Sequence, residues 1–127
     1  MRTTLLTLLF FFIITVLCYP QWYQQNTGVF YDLYGICFSE VNTGTAVGVD
    51  QTIIRTTDGG TTWTTQSIGA SGNLMRVCFT DQNNGTAVGG FGLILHTTNG
   101  GTNWTTQTSG TSNYLFSVHF SDENHGT

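Results

Sequence analysis

The side chains able to do chemistry are few, and their spacing says what they are for. Basic residues are limited to Arg2, Arg55 and Arg76, with no lysine. Against them stand Asp32, Glu40, Asp50, Asp58, Asp81, Asp122 and Glu123, scattered rather than clustered, for a formal net charge of −4. Each neutralised phosphate needs a cation against it, so a nucleic-acid partner is excluded. His96, His119 and His125 lack metal-ligand spacing. No nucleophile stands beside a base, and there is no phosphate-binding loop. The acid in the most suggestive setting is Asp58, inside Thr56-Thr57-Asp58-Gly59-Gly60-Thr61-Thr62-Trp63. That stretch returns further on as Thr97-Thr98-Asn99-Gly100-Gly101-Thr102-Asn103-Trp104. A catalytic carboxylate does not survive exchange for an amide, whereas an oxygen that caps turn N–H groups does. The sequence predicts no catalytic residue, no cofactor and no metal, and reads the stretch as a turn clamp.

The elements that position this clamp repeat with it. Cys37, Phe38, Asn42 and Gly44 to Gly48 recur as Cys78, Phe79, Asn83 and Gly85 to Gly89. A third copy opens at Leu115 and runs through Phe120, Asn124, Gly126 and Thr127. The constant shift, the one that carries Thr56 to Thr97, marks a repeat architecture. Each copy predicts four strands. The first, Leu33–Phe38, Leu74–Phe79 or Leu115–Phe120, alternates with a period of two. One face carries Tyr34, Ile36, Phe38, then Met75, Val77, Phe79, then Phe116, Val118, Phe120. The other, with Gly35, Cys37, Arg76 and Cys78, is expected near solvent. A small-residue strand follows (Thr45–Gly48, Thr86–Gly89), then Thr52–Arg55 or Leu93–His96, then Trp63–Ile68 or Trp104–Ser109. Nothing after Pro20 reads as helix.

The stretch before Pro20 is a different material. Met1-Arg2 followed by the apolar run Leu5–Leu17 is the pattern of a secretory signal, short of the roughly 20 residues of a membrane span. The alternative is a short membrane anchor. Lipidation at Cys18 is disfavoured, because Thr15-Val16-Leu17 lacks small residues. The expected organisation is a signal-peptide helix over 1–20 and a repeat domain over 21–127. Localisation would be secreted, periplasmic or cell-surface, with no stable membrane span once the signal is removed. Cys37 and Cys78 hold equivalent positions in successive copies. Such positions are expected to lie too far apart for a bridge, so both read as small buried thiols.

Thr56-x-Asp58-x-Gly60-x-Thr62-Trp63 resembles the Asp-box, or BNR repeat, of β-propellers such as sialidases and sortilin-type receptors. The wider frame, Leu-x-x-Ile-x-Phe, Gly-Thr-Ala-Val-Gly and Thr-Thr-Asp-Gly-Gly-Thr-Thr-Trp, resembles the photosystem II stability/assembly-factor-like propellers. The resemblance covers 21–127. It implies an all-β chain of antiparallel four-stranded blades, with structural boxes at Thr56, Asp58, Gly60, Thr62 and Trp63 and at Thr97, Asn99, Gly101 and Trp104, on the periphery. The second box departs at Asn99 and Asn103. Blades are expected over 33–68 and 74–109, with the start of another over 115–127. Trp22, Gln25 and Gly28 lie one repeat before Trp63, Gln66 and Gly69, so 21–28 is expected as a detached fourth strand. Closed propellers hold roughly four to eight blades, so about two and a half read as a piece of a longer protein.

The expected function is a non-catalytic propeller module that binds or scaffolds a protein or glycan through inner strand ends and loops. Tyr34, Arg76 and Phe91 are the candidate contacts. Self-association through open strand edges is the alternative. A sialidase-like glycosidase is the enzymatic alternative. It would need an arginine cluster and a tyrosine–glutamate pair, and beyond the signal there are only Arg55 and Arg76, with Glu40 and Glu123 beside turns. The assembly factors' basic patch has the same shortage.

Overall fold

A computed structural model describes residues 24–66, 68–69, 71–122 and 124–127. The expected signal peptide and Trp22 lie outside the described residues. Leu33–Phe38 (β1), Gly44–Gly48 (β2), Ile53–Thr56 (β3) and Thr64–Thr65 (β4) form an antiparallel sheet in chain order. Leu74–Phe79 (β5), Gly85–Gly89 (β6), Ile94–Thr97 (β7) and Thr105–Gln107 (β8) form a second. Phe120–Asp122 (β9) and His125–Gly126 (β10) make a hairpin. The fold is all-β and antiparallel, in four-stranded blades. Its only described helical pieces are the 3₁₀ turns Val49–Gln51 and Gly90–Gly92.

The two sheets share one register. Gly35↔Val47, Cys37↔Thr45 and Phe38↔Gly44 recur as Arg76↔Val88, Cys78↔Thr86 and Phe79↔Gly85. The small-residue strand is explained by what crosses it. A Cβ at Gly44 would lie 2.8 Å from the Phe38 ring, and one at Gly85 would lie 2.5 Å from the Phe79 ring. Every residue of β2 and of β6 is buried.

The core lies between the sheets. Val47, Ile53, Leu74, Val77, Phe79, Ala87 and Leu95 form one buried cluster, with Cys37, Ile68, Leu93 and Trp104 packed on it. A fully buried aliphatic or aromatic side chain contributes about 1.5–3 kcal/mol, so neither sheet is expected to hold its shape without the other.

Several expectations shift. The fourth strands shrink to Thr64–Thr65 and Thr105–Gln107, because both are wholly exposed edges where water competes for the ladder. The third strands begin one position late, since Thr52 N and Leu93 N close the 3₁₀ turns on Val49 O and Gly90 O, each at 3.1 Å. Residues 24–28 form no strand. Asn26 Oδ1 accepts from Gly28 N at 3.0 Å, and Gly28 sits at φ +71°, which turns the chain. Leu115–His119 is not strand either: Leu115 N donates to Gly89 O at 2.9 Å, and pairing resumes at His119 and Phe120, opposite Thr127 and Gly126.

The solvent-facing assignment of the Gly35–Cys37 face is corrected. Gly35 is buried, and a Cβ there would meet Met75 O at 2.9 Å and Arg76 Cα at 3.0 Å. Blades stack face to face, so the inner strand of one is covered by the next. The consequence for β1 is reversed burial: Tyr34, Ile36 and Phe38 are 47%, 53% and 46% exposed, while Val77 and Phe79, the counterparts of the last two, are buried.

The same stacking corrects the distance argument for the cysteines. Equivalent positions on β1 and β5 approach closely, as Gly35 and Arg76 show. Both thiols are nonetheless free and half-buried, and Cys37 Sγ accepts from Phe79 N at 3.3 Å. Burial pushes the Cys37 thiol above its ordinary pKa.

Candidate functional site

The two box turns lie at one end of the sheets, between the third and fourth strands. Thr56 is the hub of the first. Its buried hydroxyl accepts from Gly60 N at 2.8 Å and from Asp58 N at 3.3 Å, and donates to Asp58 Oδ1 at 2.8 Å. Asp58 Oδ1 also accepts from Thr62 N at 2.9 Å, and Oδ2 accepts from Thr62 Oγ1 at 2.7 Å. Gly59 and Gly60 sit at φ +71° and +92°, a backbone region that glycine enters without steric cost. Gly59 N then ties the turn to Asn42 O at 2.9 Å. Donors converging on Asp58, first Thr62 N, then the hydroxyls of Thr62 and Thr56, hold its carboxyl down at about 2.

The second box repeats this with Thr97 as hub. Gly101 N donates to Thr97 Oγ1 at 2.9 Å, Thr97 Oγ1 to Asn99 Oδ1 at 3.0 Å, and Asn103 N to Asn99 Oδ1 at 2.9 Å. Asn103 carries no hydroxyl in the place of Thr62, so the bond to the second acid oxygen has no counterpart. Each box thus engages its acid or amide oxygen with backbone and hydroxyl donors of its own turn.

A glutamine joins one blade to the next box. Gln66 Nε2 donates to Gly100 O at 3.3 Å, and its Oε1 accepts from Trp104 Nε1 at 3.4 Å. The Gln25 side chain lies against Gly60 as that of Gln66 lies against Gly101. There, however, Trp63 Nε1 is buried without a partner. These glutamines stand in plain sight in the sequence, as Gln25, Gln66 and Gln107, each one repeat from the next. The period marks them; their reach into the following blade is visible only in space. Arg55 makes a second tie, donating to Thr45 Oγ1 at 3.2 Å and Gln82 O at 2.9 Å with its guanidinium 5.3 Å from the Phe79 ring centroid.

The candidate contact residues divide between two places. Tyr34 and Arg76 border one open cavity of about 270 Å³ with Leu33, Gly35, Ile36 and Ala46. Phe91 is elsewhere, on the 3₁₀ turn at the end opposite the boxes, at φ +57° and 73% exposed. It packs at 5.8 Å on Tyr114, which stacks at 5.7 Å on Phe116. Sequence reasoning misses Tyr114 and Phe116 as company for Phe91, since the whole fourth strand and the loop after it intervene. Among the described residues no group of three or more His, Cys, Asp and Glu could hold a metal ion, and no helix is long and apolar enough to cross a membrane.

Comparison with known proteins places this architecture. No curated protein matches the chain. A solved structure titled "YCF48 bound to D1 peptide" is 30% identical with a TM-score of 0.58, over 66% of this chain and 28% of that one. YCF48 from Cyanidioschyzon merolae is 27% identical with a TM-score of 0.54, over 60% and 26%. The chain therefore spans little more than a quarter of either relative. The profile of the family described as "Photosynthesis system II assembly factor YCF48" matches residues 14–111, reaching into the apolar run at the start. By this match, and with two blades built on one box-bearing template, the chain belongs to the YCF48 family of BNR-type propellers.

Proposed function

We propose that the chain is a non-catalytic propeller module that binds a protein partner, taking an extended peptide segment at the end opposite the boxes. The observation that carries this is the exposed aromatic group of Phe91, Tyr114 and Phe116. Rings supply large contact area at low entropic cost, and aromatic residues are enriched in interface cores. The peptide bound by the 30%-identical relative supports the same class of partner. The boxes support a non-catalytic role by being self-satisfied. Arg55, one of two arginines that a carboxylate clamp could draw on, is already committed to Thr45, Gln82 and Phe79.

Fluorescence anisotropy with a labelled D1 peptide is the direct test. Saturable binding that weakens at least about tenfold in a Phe91→Ala/Phe116→Ala variant supports the reading. Binding unaffected by that variant moves the site elsewhere, and none at all removes D1 as the partner.

Self-association is the second reading, favoured by the uncovered Tyr34, Ile36 and Phe38. Sedimentation would show concentration-dependent oligomers that Ile36→Ser disperses; a monomer at every concentration ends that reading. Export is proposed from Met1-Arg2 and the apolar run after it. Mass spectrometry of the secreted chain, giving a start near Gln21, would support it.

A further inference from the structure

A cavity of about 170 Å³ lies between the second sheet and the β9–β10 hairpin, lined in part by Thr86, His96, Phe120 and Asn124. Its meaning comes from the corresponding place one blade earlier. There the guanidinium of Arg55 donates to Thr45 Oγ1 at 3.2 Å and to Gln82 O at 2.9 Å, and lies 5.3 Å from the Phe79 ring centroid. One repeat on, Thr45 becomes Thr86, Phe79 becomes Phe120 and Arg55 becomes His96. The hydroxyl and the ring that receive the guanidinium are both kept. The guanidinium itself is replaced by a shorter imidazole, which stays close to its strand with Nδ1 3.2 Å from Thr86 Oγ1. Asn84 and Asn124 add polar groups to the wall.

We propose that this cavity is a binding site for a guanidinium group, occupying the place that Arg55 fills in the preceding blade. A planar, weakly hydrated cation that donates in its plane and stacks on a ring fits such walls better than an ammonium. The negative net charge of the chain favours a cationic guest. The guest is either an arginine side chain of a partner protein or a free small guanidine. The site is separate from the Phe91 aromatic group and stands or falls without it.

Nuclear magnetic resonance titration of the full chain tests the assignment, with N-methylguanidinium as probe and methylammonium and urea as controls. The expected result is saturable shifts at Thr86, His96 and Phe120, with methylguanidinium binding at least about tenfold more tightly than either control. His96→Arg fills the cavity from within, as Arg55 does in the first blade, and is expected to abolish the shifts. Thr86→Val keeps the shape, removes the hydroxyl, and is expected to weaken binding several-fold. N-acetylarginine amide binding as tightly as the probe assigns the site to an arginine side chain, and weaker binding assigns it to a free guanidine. Equal responses to all three small probes, no saturable response at these residues, or full binding in a folded His96→Arg chain overturns the proposal.

Discussion

The first and second blades share a register, a box and a hub threonine, yet they bury their inner strands in opposite senses. In β5, Val77 and Phe79 are buried against the first blade; in β1, the corresponding Ile36 and Phe38 are about half exposed. The local sequence pattern is the same. What differs is the neighbour: β5 has β1 stacked upon it, whereas no described element covers the outer face of β1. Burial here is therefore a property of position in the stack, and the same residue types carry different energies in the two blades.

That contrast is broken most forcefully at the phenylalanines. Phe79 is buried, meets Trp104 edge-on at 6.1 Å and lies beneath the Arg55 guanidinium. Phe79→Ala is expected to cost about 3–5 kcal/mol in denaturant unfolding, as large aromatic deletions from cores do. Phe38→Ala, at a 46% exposed ring, is expected to cost about 1 kcal/mol or less. Equal costs would mean that β1 is covered in solution.

Next in size are the hub hydroxyls, where the two blades should agree. Thr56→Val or Thr97→Val leaves a buried glycine N–H without its acceptor, at Gly60 or Gly101. An unsatisfied buried donor costs about 1–3 kcal/mol, so either change should lower the unfolding midpoint by a similar amount. A much smaller loss at one of them would show that its turn finds another acceptor.

The glutamine tie should separate the blades again. Gln66→Ala strands Gly100 O and Trp104 Nε1 together and is expected to cost about 1–2 kcal/mol. Gln25→Ala should cost less, because Trp63 Nε1 already lacks a partner. Unfolding curves for the two variants measured side by side would decide it.

Much of this is legible from residue spacing, and the remainder has physical reasons. The repeat period, the first-strand limits Leu33–Phe38 and Leu74–Phe79, and the all-β class follow from alternation and turn residues, which are local. The burial of Gly35, the exposure of Ile36 and the closeness of equivalent inner-strand positions depend on stacking, which spacing along the chain does not encode. The candidate contacts show the same division. Tyr34 and Arg76 share a cavity although they belong to different blades, and the place of Phe91 beside Tyr114 follows from the third copy folding back over the turn at Gly90–Gly92.

The finest difference between the blades is one atom in the box, the carboxylate oxygen of Asp58 against the amide of Asn99, and acid is the means to expose it. Donors from Thr62 and Thr56 hold the Asp58 carboxyl at about 2 in the folded chain, against about 3.9 for an unfolded aspartate. A depressed folded value stabilises the fold above the unfolded pKa, and that stabilisation is lost as pH falls through the folded one. The contribution of the first box should be intact above about pH 4 and gone below about pH 2. Asn99 has no such proton to take up, so the second box should not respond. Asp81 and Asp122 also lie below their ordinary range, each held by donors from its own turn, so the whole chain will lose some stability in acid regardless. The informative quantity is the difference: Asp58→Asn should flatten part of the stability profile between about pH 4 and pH 2 and leave the rest unchanged. Asp58 is exposed, so the effect will be small, and amide exchange at Thr62 N read against Asn103 N is the sensitive probe. Protection of Thr62 that falls with acid while that of Asn103 holds would show that the two boxes close the same turn by different means. Parallel behaviour would show that the charge of Asp58 adds nothing to the hydrogen bonds that both boxes make.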